Sequence, residues 1–201
     1  GLTSQIAEAF ALTFDAAAFH GTNTPFTTNL DTGSSTKEST GTGIGTFGTG
    51  VQFYDDLNDG LRTLITAGKK PNGWAWDSRM EPEFNQAKDG SNRPLFIDAP
   101  YTESAGLLRE GRLLGRPAFL GDGVYAATPR IYGYLGDWSQ VAWGAVGEIS
   151  YSVSTEASVT LGAGNTLTSL WEQNLVGILA EAEYGFLVND PAAFIKFTAL
   201  T

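Results

Sequence analysis

His20 is the only histidine in this 201-residue chain, so any Ser-His-Asp arrangement would have to use it as its base. It stands just before Gly21 at the end of an apolar-periodic segment. There a histidine ordinarily meets the free carbonyls of a helix terminus, and that reading outweighs catalysis. Gly43-Ile44-Gly45-Thr46-Phe47-Gly48 has the GxGxxG spacing of a dinucleotide cradle, which needs a strand before it and a helix after it. A helix follows, but Asp31 to Thr40 is polar and Ser/Thr-rich, so the segment reads as a flexible glycine loop. Two carboxylate pairs, Glu81 with Glu83 and Glu181 with Glu183, are spaced two residues apart. On a strand that spacing separates carboxylates by about 7 Å, near the distance an inverting glycosidase uses, and Trp74 and Trp76 would offer a sugar platform. A small β-rich glycan-binding or glycan-cleaving domain is what this points to, although such pairs are common on the polar face of a strand. Cysteine is absent, which excludes disulfides, thiolate metal sites and cysteine nucleophiles. No Asp/Asn run has calcium-loop spacing, so neither metal nor cofactor is expected.

The elements that must position these residues follow from periodicity. Leu2, Ile6, Phe10 and Phe14 recur every fourth residue and predict a helix ending near Phe19. Residues 22–50 hold 10 Thr and 6 Gly, a low-complexity tract read as a loop lying over other structure. Val51, Tyr54, Leu57, Leu61, Leu64 and Ile65 predict a second helix, with Asp55, Asp56 and Asp59 facing solvent and Gly68 as its stop. Trp74-Ala75-Trp76 reads as a short strand, Ser78 to Lys88 as a short polar helix, and Asp89-Gly90-Ser91-Asn92 as a turn. Leu113 to Phe119 predicts one short strand, and Arg130–Leu135 and Gln140–Val146 two more. Ile149, Tyr151 and Val153 alternate with serines, the clearest half-buried strand pattern in the chain. Thr160 to Thr168 reads as a loop. Near the C-terminus a short helix to about Asn174 leads into one long strand to Val188, whose alternate residues Val176, Ile178, Ala180, Ala182, Tyr184 and Phe186 are apolar. A turn at Asn189-Asp190-Pro191 and a last strand through Ile195 and Phe197 close the chain. The fold class is α+β with a mixed sheet.

Composition restricts partners. Hydrophobic residues make up 42% and charged residues 17%, with a net charge of −10. A surface so low in charge favours contact with other protein. No basic cluster exceeds Lys69-Lys70, which argues against tight nucleic-acid binding. No apolar run approaches the ~20 residues of a membrane helix, so no membrane partner is expected.

One ordered set of segments resembles the tailed-phage major capsid proteins, whose fold is shared with encapsulins. It comprises Gly136-Asp137-Trp138, then Glu148 to Glu156, then Gln173-Asn174-Leu175-Val176-Gly177-Ile178-Leu179-Ala180-Glu181, and finally Pro191-Ala192-Ala193-Phe194-Ile195-Lys196. The set spans roughly the last two thirds of the chain. The resemblance implies a phage major capsid fold in which residues 1–52 supply the spine helix and loop of a peripheral domain. Residues 53–146 would then form the axial domain, 147–183 peripheral strands, and 184–201 the return to the axial sheet. It implies a non-enzymatic structural protein that assembles with copies of itself, as hexamers and pentamers, into an icosahedral shell around phage DNA. Scaffold, portal and decoration proteins would be its partners, the virion its location and the host cytoplasm its place of assembly. The alternative on the same fold is an encapsulin-type shell around a cargo enzyme.

Some members of this family cross-link covalently, a lysine of one subunit joining an asparagine side chain of another. The resemblance places Asn174 at that asparagine and Glu181 at the proton-accepting glutamate. Seven residues of strand span about 23 Å, so these two would act only in a site shared among subunits. The competing reading is that Asn174 caps a turn and Glu181 pairs with a neighbour. Because the family's N-terminal arm and extended loop have no counterpart ahead of Leu2, the chain is expected to be a C-terminal portion that is monomeric or weakly associated alone.

Overall fold

The computed structural model describes residues 2–24, 26–39, 49–96, 109–161 and 166–199. The elements are α1 (Leu2–His20), β1 (Ser35–Glu38), α2 (Gly50–Thr66), β2 (Gly73–Asp77), α3 (Glu81–Gln86), β3 (Arg109–Leu113), β4 (Arg116–Gly121), β5 (Ala126–Ala127) and β6 (Arg130–Gly136). Then follow β7 (Val141–Ala145), β8 (Ser150–Ser154), β9 (Ser158–Leu161), β10 (Thr166–Ser169), β11 (Gly177–Glu181), β12 (Tyr184–Val188) and β13 (Phe194–Thr198). The fold is α+β with a mixed sheet, as the periodicities predict.

The chain divides into two compact units. The larger comprises residues 11–143 and 186–201 and is built on a sheet ordered β1-β13-β6-β2-β4-β3, with β5 added beside β6. β1 runs parallel to β13 and β2 parallel to β4, while the other pairs are antiparallel. One face carries Trp74, Trp76, Leu135, Ile195 and Phe197 against Phe53, Leu57 and Leu64 of α2 and Phe84 of α3. The opposite face carries Tyr134 and Phe194 with Leu30, Val124 and Val188. Central strands are therefore apolar at both parities.

Each helix boundary has a local cause. Thr49 caps α2: its hydroxyl accepts from the Gln52 N–H at 3.3 Å, and the Gln52 side chain accepts from the Thr49 N–H at 2.9 Å. At the other end Gly68 takes φ +74°, which lets the Lys69 N–H reach the Leu64 carbonyl at 2.9 Å and its own N–H reach Ile65 at 2.9 Å. Gly60 sits mid-helix because a Cβ there would lie 2.5 Å from the Phe197 ring.

The smaller unit comprises residues 1–10 and 144–185. It holds two two-stranded ribbons, β8 with β11 and β9 with β10. Leu170 is its one buried large apolar side chain among the described residues, and it sits under Gly177.

Several expectations need correction. The C-terminal long strand is two strands, interrupted at Ala182–Glu183, because β11 pairs with β8 whereas β12 pairs with β7. The short helix before it is a single turn. Residues 113–119 form the bend of a hairpin, β3 to β4, through Leu114 and Gly115 at φ +48° and +76°. Much of the 160–168 loop is the β9–β10 hairpin, with 162–165 outside the described residues. The predicted polar helix after Asp77 is a short 3-10 turn and then α3, and buries Met80 and Phe84. β8 is exposed rather than half-buried, with Val153 at 68% exposure. Asp56 faces inward, only 2% exposed, whereas Asp55 faces solvent and Asp59 is partly covered.

Candidate functional site

Asn174 closes the single turn that follows β10. The Gln173 N–H donates to the Ser169 carbonyl at 3.3 Å, Asn174 N–H to Trp171 at 3.3 Å, and Leu175 N–H to Leu170 at 2.9 Å. That pattern requires a left-handed residue at its fourth position, and Asn174 supplies it at φ +51°. Its role in the backbone is therefore the one Gly68 plays after α2. The side chain is exposed. Glu181 is the last residue of β11, opposite Ser150 of β8, and is also exposed. An extended strand separates Asn174 from Glu181, so one chain does not bring the two together.

The glycosidase reading fails on geometry. Trp74 and Trp76 are 0% exposed, stacked at 5.9 Å inside the core, and offer no face to a sugar. Glu81 and Glu83 lie on α3, where residues two apart point in different directions. Burial raises the Glu83 carboxyl above its ordinary range. Glu183 lies exposed between β11 and β12. The glycine-rich segment 43–48 lies outside the described residues.

His20 does meet a carbonyl, but not that of its own helix. Its Nε2 is 3.1 Å from the Val124 carbonyl, and its Nδ1 is 2.9 Å from an Asp31 carboxylate oxygen. Tyr134 donates its hydroxyl to the other Asp31 oxygen at 2.5 Å, and Lys196 Nζ donates to the Asp31 main-chain carbonyl at 3.0 Å. Burial first, then the Asp31 charge, push the Tyr134 phenol well above its ordinary range, so it stays a donor. The Ser34 hydroxyl also reaches the cluster, donating to the Asp31 main-chain carbonyl at 3.4 Å, but none of the hydrogen bonds of the imidazole goes to a hydroxyl nucleophile among the described serines and threonines. The cluster ties the end of α1 to the following loop and to β6. Asp31 and Tyr134 lie 11 and 114 residues from His20, without a motif that links them, so sequence reasoning missed both.

A second ionic cluster joins β1 to α2. Lys37 Nζ lies 3.2 Å from Asp56 and 3.3 Å from Asp59. Desolvation pulls the Lys37 ammonium down, but the two carboxylates outweigh it and hold the pKa above the ordinary lysine value. The cluster pins charge at a sheet edge rather than activating an amine. Among the described residues, no group of three or more His, Cys, Asp or Glu is placed to hold a metal ion. Among the described residues no helix is long and apolar enough to cross a membrane.

What the described surface does present is apolar. Trp171 at 73% exposure, Val176, Ile178, Leu179 and Leu167 stand in solvent within the smaller unit. Side chains of this kind in such density mark contact with protein.

Comparison with known proteins gives this surface a context. The chain is 40% identical over 205 residues to the "Probable major capsid protein" of Mycobacterium phage D29, a match covering 98% of this chain and 61% of that protein. It is 41% identical to the protein of the same description from Mycobacterium phage L5, with the same coverage. The chain thus spans about six-tenths of the length of these curated relatives. A solved structure from Gordonia phage Cozz superposes with a TM-score of 0.74 at 24% identity, covering 98% of this chain and 62% of that one. The structure titled "Capsid of empty GTA particle computed with C5 symmetry" gives a TM-score of 0.65 at 17% identity, covering all of this chain and 65% of that one. With the family described as "Phage capsid family" matching residues 2–199, the chain belongs to the phage capsid family.

Proposed function

We propose that this chain builds the shell of a phage head, associating with copies of itself into hexamers and pentamers that close an icosahedral wall around packaged DNA. The observation that carries the reading is the family match across residues 2–199. Closed symmetry repeats each contact many times, so contacts that are individually weak suffice for a stable shell. The net charge of −10 suits a wall that does not grip DNA. The role is structural rather than enzymatic. Scaffold, portal and decoration proteins would be the heterologous partners, with assembly in the host cytoplasm and the virion as destination. Relatives named as phage capsid proteins favour a DNA-filled head over an enzyme-filled encapsulin shell. Residues 53–146 with 184–201 would form the axial domain, and the remainder the peripheral domain.

Negative-stain electron microscopy of the purified chain, with intact mass measured under denaturing conditions, tests the reading. Rings or shells are expected to appear as concentration rises. Exclusion of the chain from shells that a longer relative of the family forms in the same solution refutes it.

The exposure of Asn174 and Glu181 supports a second, narrower proposal, a covalent joint between copies: a lysine amine attacks the Asn174 side-chain carbonyl carbon, Glu181 of a neighbouring copy takes the amine proton and returns it to the leaving nitrogen, and ammonia departs to leave an isopeptide bond. Assembled particles boiled in detergent would then run as covalent oligomers. Asn174→Gly, which keeps the turn but removes the amide, would abolish them. Oligomers that persist in Asn174→Gly exclude Asn174 as the joint.

A further inference from the structure

We infer that His20 works as a proton-operated latch: its charged ring clips the loop after α1, and with it the edge strand β1, onto the core of the larger unit, and loss of one proton loosens both. Main-chain bonds bring the partner within reach. The Leu30 N–H donates to the Ala18 carbonyl at 3.1 Å and the Asp31 N–H to the Phe19 carbonyl at 3.0 Å. Asp31 therefore lies beside the last residue of α1, and β1 begins at Ser35, shortly after it.

Both ring nitrogens face oxygens that accept. Nε2 meets the Val124 main-chain carbonyl at 3.1 Å and Nδ1 an Asp31 carboxylate oxygen at 2.9 Å. The Tyr134 hydroxyl is 3.3 Å from Nδ1 but supplies no proton to it, because it donates to the second Asp31 oxygen at 2.5 Å. A neutral imidazole carries one N–H, so either tautomer would set a bare nitrogen lone pair against an oxygen within hydrogen-bond distance. The pair must hold one proton more than a neutral histidine beside a carboxylate, and the imidazolium carries it. The His20 side chain is 10% exposed, so water does not readily replace either partner.

The charges around the ring attract that proton. Asp31 faces it from the loop, Asp122 belongs to the connection that carries Val124, and Asp15 of α1 packs against Gly123 of the same connection. Tyr134 of β6 is neutral, burial having pushed its phenol up. Lys196 of β13 opposes them, but it donates to the Asp31 main-chain carbonyl at 3.0 Å rather than to the carboxylate. Three carboxylates thus stand against one ammonium. The latch is closed at a pH below the ordinary imidazole value of about 6.5 and opens as pH rises and the proton leaves. His20 is the only histidine, so no other imidazole contributes. β1 ends the sheet, with β13 as its one partner strand among the described residues, and its loosening bares the edge of β13.

Amide hydrogen exchange of the whole chain at about pH 5.5 and about pH 8.5, corrected for the pH dependence of free amides, reads the latch. Protection of Leu30, Asp31 and β1 is expected to fall about tenfold or more across that interval while β2 and β6 keep theirs. In His20→Gln, which retains an N–H donor but no titrating group, the fall should vanish. A double-mutant cycle of His20→Gln with Asp31→Asn, followed by urea unfolding, should show coupling near pH 5.5 that is gone by about pH 8.5. Equal protection of β1 at both pH values in the unmodified protein overturns the latch, and that measurement needs no variant. The same fall in His20→Gln, or a coupling indifferent to pH, overturns it as well.

Discussion

Gly133→Ala tests how rigidly the core of the larger unit is set. Gly133 of β6 lies between Trp76 of β2 and Phe197 of β13 in the sheet register. A Cβ added there would sit 2.2 Å from Cε3 of Trp76, 2.5 Å from Cδ2 and 2.7 Å from Cζ3. Carbon atoms pack at about 3.5–4.0 Å, so the indole would have to retreat by roughly 1.3–1.8 Å. It has nowhere to go. Trp76 is stacked on Trp74 at 5.9 Å, meets Phe84 edge-on at 5.4 Å and lies 5.1 Å from Phe197. Overpacking of this kind costs about 3 kcal/mol, more than the roughly 0.4–1 kcal/mol that alanine returns by restricting the unfolded chain. Trp76→Phe removes two of the three clashing atoms, Cε3 and Cζ3, and leaves a smaller ring with room to tilt away from the third. Alone it should cost only about 1 kcal/mol, because the lost packing is partly offset by removing an indole N–H that is buried without an acceptor. Urea denaturation followed by far-ultraviolet circular dichroism on the two single variants and the double one gives the coupling. The double variant is expected to be no less stable than Trp76→Phe, a coupling of at least about 2 kcal/mol. Additivity within about 0.5 kcal/mol would mean that the sheet, not the ring, absorbs the methyl group, and would refute the argument.

Asn174→Ala should destabilise the smaller unit by about 1 kcal/mol, since alanine lacks asparagine's tolerance of φ +51°, whereas Asn174→Gly should cost nothing. Equal losses in thermal unfolding would show that the side chain, not the backbone angle, matters. Asp77 is buried, and desolvation raises its carboxyl despite the Arg79 N–H and charge that favour the anion. With the folded pKa above the unfolded value of about 3.9, the residue's favourable contribution is full below that pH and is lost as pH rises through the folded value. Asp77→Asn keeps an acceptor for the Arg79 N–H, so its unfolding temperature should exceed that of the unmodified protein at pH 7 and match it near pH 3. A lower value at pH 7 contradicts this.

Elements with an unambiguous period were legible in the sequence. α2 shows both its apolar stripe and its Gly68 stop, and β13 its short apolar run behind a proline. The β3–β4 bend was not, because Leu114 adopts a left-handed conformation that leucine seldom takes, and no propensity announces it. Gly133 and Gly136 in Arg130-Ile131-Tyr132-Gly133-Tyr134-Leu135-Gly136 could have been taken for breaks. They are instead the places where the Trp76 and Phe194 rings cross the sheet. Asp56 follows Asp55 on a helix with a solvated face, and only the distant Lys37 explains why it turns inward. Of the candidate site, the Asn174 and Glu181 positions came from family resemblance, whereas the His20, Asp31 and Tyr134 cluster depends on contacts that no local spacing encodes.

Alternation in a strand specifies how many of its faces must be covered, not what covers them. β13, with Phe194, Ile195 and Phe197 apolar at both parities, asks for two layers, and the larger unit supplies both from its own chain. β8 is apolar at one parity and serine at the other, so it asks for one layer, and Tyr151 and Val153 show that its own unit supplies none. The same pattern would be a folding defect in a protein that works alone. In a member of the phage capsid family it would be a deficit of one layer per copy, which a neighbour could fill, and it would couple stability of the smaller unit to assembly. Binding that stabilises only the assembled form raises apparent stability by mass action. The smaller unit should therefore exchange its β8 and β11 amide hydrogens quickly in the free chain and slowly in particles, while β2, β6 and β13 exchange slowly in both. Equal protection of β8 in the two states would show that the chain already covers this face by itself.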